Sequence, residues 1–217
     1  MERSVATVYL ADIAHANWEA LYAQFKANLE PDRVERIEKC TNAGQKKRLV
    51  CTGVLLQGLL KAQGVTTGQI AYEENGKPYI DGKEDLFYNI SHSGNKVIIV
   101  LSGQPVGIDI QATVPYKEAL VNKICSMEER DAYGNDLVRH LNLVWAVKES
   151  YTKLTGQGIT VDLSDVSYSE KENGDLSITF KGEEAAVGKH VYSDEIYEAI
   201  LTSKEDLNVE NVVKMNL

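Results

Sequence analysis

The chain has 217 residues, 43% of them apolar and 25% charged, which is enough apolar material for one large packed domain or two small ones. A net charge of −9 speaks against a general nucleic-acid binder. The longest purely aliphatic run, Val97 to Leu101, is far too short to span a bilayer, and the first residues lack the apolar block of a secretory leader.

In chain order, Val5 to Ala11 alternates as a strand does, and Trp18 to Leu29 reads as a helix. Lys46 to Gln63 is a stronger helix, with Val50, Val54, Leu55, Leu59 and Leu60 at helical spacing and Gly64 as its stop. Asn75-Gly76 signals a turn, and Lys77-Pro78 follows it. Three short strands are predicted next, at Phe87 to Ile90, Lys96 to Leu101 and Val106 to Ile110. Ser126 and Glu129 form a capping-box pattern that opens a helix through Tyr133. Leu141 to Leu154 is helical and is stopped by Gly156 and Gly158. Val166 to Ser169 and Leu176 to Phe180 then flank Asn173-Gly174 as a hairpin would. A helix, a Gly-aliphatic pair, a strand and an Asn-Gly turn therefore occur twice, which predicts a duplicated α+β unit with a cleft between the copies.

Charge is unevenly distributed. Residues 31–61 hold seven Lys/Arg against three acids, a local charge of +4, whereas residues 162–217 hold five lysines against thirteen acids, −8. A basic segment on an acidic protein suits a compact anionic ligand, although a solvated helix face has the same composition. Cys40, Cys51 and Cys125 are odd in number and lack metal-type spacing, which reads as a reduced, cytoplasmic protein.

Three runs carry residues able to do chemistry. In Val106-Gly107-Ile108-Asp109-Ile110-Gln111, a strand places the aliphatic residues on one face and Gly107, Asp109 and Gln111 on the other. Two oxygen donors at that spacing form half a magnesium site, and Gly107 would let a ligand approach the backbone. An edge strand with a solvated polar face has the same pattern. In Trp145 to Lys153, Glu149 and Lys153 are four residues apart on one helix face, as an exposed ion pair or as ligands for a metal and a phosphate. Asn89-Ile90-Ser91-His92-Ser93-Gly94 offers hydroxyl and imidazole donors to phosphate oxygens at a strand end, where a lone histidine also serves structure.

Gly76-Lys77-Pro78, Asn89 to Gly94, Gly107-Ile108-Asp109-Ile110 and Trp145-Ala146-Val147-Lys148-Glu149-Ser150-Tyr151-Thr152-Lys153 occur in the order found in 4′-phosphopantetheinyl transferases. Across residues 76–153 the chain resembles the large, single-chain Sfp-type branch that primes peptide and polyketide synthases. The resemblance implies an α+β fold with a pseudo-twofold duplicated unit and the active site between the halves. Residues 1–105 would form the half that contacts the coenzyme A nucleotide, and residues 106–217 the metal-binding, catalytic half. It implies transfer of the phosphopantetheine arm of coenzyme A to a serine of an acyl or peptidyl carrier protein, with Mg²⁺ as cofactor and a monomer as the working form.

Carried over by position, the resemblance makes Asp109, Gln111 and Glu149 the metal set, with Gln111 standing where many members have glutamate. Glu149 is the implied base. Lys153 and His92 would meet the pyrophosphate, Ser91, Arg33, Arg36 and Arg48 the 3′-phosphate, and Lys77 with Pro78 the adenine. The segment 112–142, with Leu120, Ile124 and Met127, is the expected carrier-docking surface. A non-catalytic module that binds coenzyme A or a nucleotide is the alternative of a different class; it leaves a metal pair beside the pyrophosphate without a purpose.

Overall fold

The computed structural model describes residues 4–113, 117–134 and 137–217. The chain builds three sheets and six α-helices among these residues. Strand β1 (Val5–Asp12) is followed by α1 (Trp18–Phe25), α2 (Pro31–Lys39) and α3 (Ala43–Ala62). Strands β2 (Ile70–Tyr72), β3 (Pro78–Ile80), β4 (Phe87–Ser93), β5 (Lys96–Ser102) and β6 (Val106–Ala112) come next. Helices α4 (Glu118–Ile124), α5 (Met127–Tyr133) and α6 (Leu137–Thr155) precede β7 (Val166–Glu170), β8 (Leu176–Phe180), β9 (Glu183–Ser193), β10 (Tyr197–Ser203) and β11 (Asn208–Met215).

The first sheet has the order β11-β1-β5-β4 and the second β6-β10-β9-β8-β7, with β2-β3 as a separate hairpin. All pairings are antiparallel except β1 with β11. The predicted boundary at residue 105 falls between β5 and β6, which lie in different sheets, yet β11 returns to the first sheet. The two sheets share one core: Ala6, Val8, Ile98 and Val100 of the first meet Val106, Ile108, Ile110 and Leu201 of the second. Helix α3 covers the other face of the first sheet through Cys51, Leu55 and Leu56. Helix α6 covers the other face of the second through Ala146, Val147, Tyr151 and Leu154.

The strand pattern of residues 106–110 forms as predicted, but Gly107 serves a different neighbour. A methyl group at position 107 would lie 1.9 Å from the Ser150 carbonyl oxygen and 2.5 Å from the Leu154 nitrogen. The α6 backbone, not a ligand, occupies the space left by the missing side chain. Both faces of β6 are therefore buried from Val106 to Ile110, and the solvated edge strand does not form. The capping box opens α5 as expected: Glu129 N–H donates to Ser126 Oγ at 3.2 Å and Ser126 N–H to Glu129 Oε2 at 2.8 Å. Of the apolar residues expected to dock a carrier, Ile124 is core, Leu120 packs half-buried against the same cluster and Met127 is 75% exposed. Residues 114–116 and 135–136 of that segment lie outside the described residues.

Gly107→Ala is expected to lower unfolding free energy by at least about 2 kcal/mol, since the atoms it meets are backbone and cannot rotate aside. Gly58→Ala, on the exposed face of α3 with nothing within 4 Å, should instead stabilise by about 0.5–1 kcal/mol. Urea unfolding of the two variants reads both signs; equal losses would show that the β6–α6 contact is looser than described.

Candidate active site

Strand β6 is bonded to β10 on one side. Its other edge leaves the N–H groups of residues 108, 110 and 112 without a backbone strand. Alternate residues of β4 supply the acceptors. Ile108 N–H donates to Asn89 Oδ1 at 3.1 Å, Ile110 N–H to Ser91 Oγ at 3.3 Å and Ala112 N–H to Ser93 Oγ at 3.0 Å. Side chains at i, i+2 and i+4 of one strand share a face, so a strand with polar residues at that period can cover another strand's edge. This seam joins the two sheets and fixes β6 at the residues around Asp109.

Asp109 is 2% exposed and its carboxylate is fully engaged. Ser91 Oγ donates to Oδ1 at 2.7 Å, Lys153 Nζ to the same oxygen at 2.6 Å, and Gln111 Nε2 to Oδ2 at 2.7 Å. Lys153 Nζ also donates to the Ile108 carbonyl at 3.1 Å. The structure thus gathers Ser91, Asp109, Gln111 and Lys153 into one cluster. Ser91, expected at a phosphate, is buried with its hydroxyl turned to Asp109 and β6. Glu149 sits one turn before Lys153 on α6, half-buried. Burial pushes its carboxyl above the ordinary range and the nearby Asp109 charge adds to this, while Lys153 opposes it.

Beside this cluster lies a cavity of about 290 Å³ whose walls include Arg33, Arg36, Lys77, Pro78, Tyr72 and Lys153. Five of the residues expected to contact coenzyme A therefore face one space, and Lys153 belongs to both the cavity and the Asp109 cluster. Arg48, Ser91 and His92 are not among its walls. His92 lies exposed at the end of β4; partial desolvation lowers its imidazole pKa, and the positive charges of Arg48, Lys153 and Arg33 lower it further. Arg33 is 7% exposed, and its Nε donates to Glu30 Oε2 at 2.9 Å. Gly53 of α3 makes room for it, because a methyl there would lie 2.5 Å from Arg33 Cδ. Arg36 is exposed at the cavity rim.

Among the described residues no group of three or more His, Cys, Asp or Glu side chains is placed to hold a metal. Asp109 and Glu149 would provide two carboxylates; Gln111, the expected third donor, here turns its amide nitrogen to Asp109. That donor set fits Mg²⁺, which binds through one or two carboxylates, waters and substrate phosphate oxygens. The charge of Asp109, which helps to raise the Glu149 proton affinity, also favours a cation nearby.

Sequence reading missed a second buried pair on α6. Lys148 is 0% exposed, and its ammonium donates to Glu129 Oε2 at 2.6 Å, tying the first turn of α5 to α6. Desolvation lowers the Lys148 pKa despite this partner. The capping-box pattern marks Glu129, but no local signal places Lys148 against it.

The sequence pattern of the 4′-phosphopantetheinyl transferase superfamily matches residues 105–206, the stretch that holds β6, α6 and the second sheet. The chain is 30% identical over 157 residues to the 4′-phosphopantetheinyl transferase ffp of Bacillus subtilis, covering 66% of this chain and 69% of that protein. The chain belongs to the 4′-phosphopantetheinyl transferase superfamily. It is also 28% identical over 162 residues to the 4′-phosphopantetheinyl transferase Sfp of Bacillus subtilis strain 168, covering 71% of this chain and 72% of that one. With the 4′-phosphopantetheinyl transferase AcpT of Escherichia coli K12 it shares 32% over 128 residues, 51% of this chain and 65% of that one. The α+β architecture expected for the superfamily is the one observed.

Lys148→Met should cost about 3–5 kcal/mol, because it leaves the Glu129 carboxylate buried without its partner. The double variant Lys148→Met/Glu129→Gln keeps the capping acceptor and removes the stranded charge, so it should recover at least half of that loss. Thermal and urea unfolding of the three proteins measure it; a double variant no better than the single one would show that the pair is not the issue.

Proposed function

We propose that the protein transfers the 4′-phosphopantetheine arm of coenzyme A to a serine hydroxyl of an apo-carrier protein and releases 3′,5′-ADP. The observation that carries this reading is Lys153, which lines the basic cavity and bonds Asp109 at the same time. An ammonium in that position reaches the pyrophosphate of a nucleotide held by Arg33, Arg36 and Pro78. Arg48, whose charge is felt at His92, extends the positive field beyond the cavity; it is read as a further phosphate contact, and His92 as an imidazole N–H donor beside it.

In the reaction the carrier serine oxygen forms a bond to the β-phosphorus of coenzyme A, and the bond from that phosphorus to the bridging oxygen breaks. Glu149 takes the hydroxyl proton; its raised pKa makes it a stronger base than an exposed carboxylate. Lys153 and His92 are read as the donors that meet the charge building on the pyrophosphate. Asp109 and Glu149, with Gln111 beside them, would hold Mg²⁺, which when bound lowers the cost of negative charge on the phosphates.

The chain is read as a duplicated α+β unit, because α3 leads to hairpin β2–β3 and α6 to hairpin β7–β8, turning at Gly76 and Gly174 with φ of +83° and +81°. Residues 1–105 are read as the nucleotide half and 106–217 as the catalytic half, in keeping with Arg33 and Arg36 on one side and Asp109 and Glu149 on the other. The protein is read as a cytoplasmic monomer serving secondary metabolism. Three free cysteines suit a reducing compartment, and among the described residues no helix is long and apolar enough to cross a membrane.

Incubation with coenzyme A, Mg²⁺ and several apo-carrier proteins should add one phosphopantetheine arm to a carrier, read by intact mass. No gain on any carrier would end the proposal. Glu149→Gln keeps the shape and loses the base, so turnover should fall by about 10²–10⁴-fold. A variant retaining a third of wild-type turnover would remove Glu149 from that role. Arg36→Ala should raise KM for coenzyme A with little change in kcat, and should barely affect dephospho-coenzyme A, which lacks the 3′-phosphate. Equal losses for both substrates would place Arg36 elsewhere. This variant is cleaner than Arg33→Ala, which would also strand the buried Glu30.

A further inference from the structure

Lys77 lines the cavity, yet its ammonium is bonded to the protein. Lys77 Nζ donates at 2.5 Å to the carbonyl of Leu154, 77 residues away in the last turn of α6. The last four carbonyls of a helix have no partner within it and carry the negative end of the helix dipole, so a lysine there satisfies both demands. The half-buried ammonium loses hydration in this position, which lowers its pKa. The hairpin makes a second contact at the same place. Asn75, whose Oδ1 accepts from the Lys77 N–H at 2.8 Å, lies against Gly156, where a methyl would come within 2.6 Å of Asn75 Nδ2. Gly156 has φ of +73°, the left-handed conformation that ends a helix. Strand β6 also comes close here: a methyl at Gly107 would lie 2.5 Å from the Leu154 nitrogen.

The end of α6 is thus held by both β6 and the β2–β3 hairpin, and Lys153 is the residue next to the held carbonyl. We infer that Lys77 is a positioning residue: its side chain holds the last turn of α6, and through it the Lys153 ammonium, rather than contacting the bound nucleotide. The inference rests on the transferase reading for its kinetic consequence only. A 1 Å error in a charged group facing the pyrophosphate can cost on the order of 100-fold in rate, so the grip bears on chemistry although Lys77 does not touch it.

A double-mutant cycle between Lys77→Met and Lys153→Ala tests this, together with hydrogen exchange of the wild-type and Lys77→Met chains. Lys77→Met should lower kcat/KM by about 10-fold or more on the Lys153 background, and by less than about twofold once Lys153 is alanine. Lys77→Arg, whose guanidinium also reaches the carbonyl, should keep most of the activity. Amides in peptides spanning residues 152–158 should exchange at least about 10-fold faster in Lys77→Met, with those around Val147 unchanged. Equal losses on both backgrounds would make Lys77 a direct nucleotide contact and overturn the inference. So would unchanged exchange at the end of α6. If the wild-type protein transferred nothing to any carrier, the function would fall while the exchange arm still decided whether Lys77 holds the helix.

Discussion

An amide hydrogen inside a protein must find an acceptor, and the strand that bears Asp109 has three on an edge that no other strand covers. Asn89, Ser91 and Ser93 meet that need with side chains. The middle rung has two roles, because the Ser91 oxygen accepts from β6 and passes its own hydrogen to Asp109. The hydroxyl that joins the sheets is therefore also the one that orients the carboxylate. Lys153 and Gln111 complete a shell in which Asp109 has little freedom to turn.

A second constraint places helix against strand. Ordinary side chains keep the two backbones well apart, whereas Gly107 removes the spacer and lets α6 come into contact with β6. Only with this close approach can a lysine one turn along from Glu149 reach the strand's carboxylate and carbonyl together. A buried hydroxyl pair, Ser150 with Thr202 at 2.6 Å, fixes the rotation of the helix over the same sheet. Rotation, height and the C-terminal end of α6 are each set by a different neighbour, so Glu149 and Lys153 are carried on a helix fixed in three ways.

Much of this was legible in the sequence, for local reasons. The alternation in 106–110, the helical spacing in 46–63 and 141–154 and the Ser126–Glu129 box depend on neighbours a few residues apart. Helix α2 was not visible, since its nine residues contain only Val34 and Ile37 as apolar anchors among charges. Strand β10 was missed because it is buried along its length between β6 and β9, where polar–apolar alternation has no reason to appear. The family motifs singled out Ser91, Asp109 and Lys153, which the structure brings together, but not all of their neighbours. The alternating polar residues of β4 look the same whether they face a phosphate or a strand edge, and Gly107 looks the same whether a ligand or a helix approaches it. The Lys148–Glu129 pair and the Lys77–Leu154 bond join segments 19 and 77 residues apart, distances over which no periodicity carries information.

The strand order of the first sheet has a consequence for the newborn chain. β1 lies between β5 and β11, and the strand that covers its outer side is made of residues 208–215. On the ribosome β1, α3, β4 and β5 emerge early and can begin to pack, but one row of β1 amides and carbonyls stays open until translation has passed residue 215. An open strand edge invites pairing with other chains. The sheet that carries the basic cavity thus waits for residues 208–215, and a chain cut short after the second sheet would keep one adhesive flank.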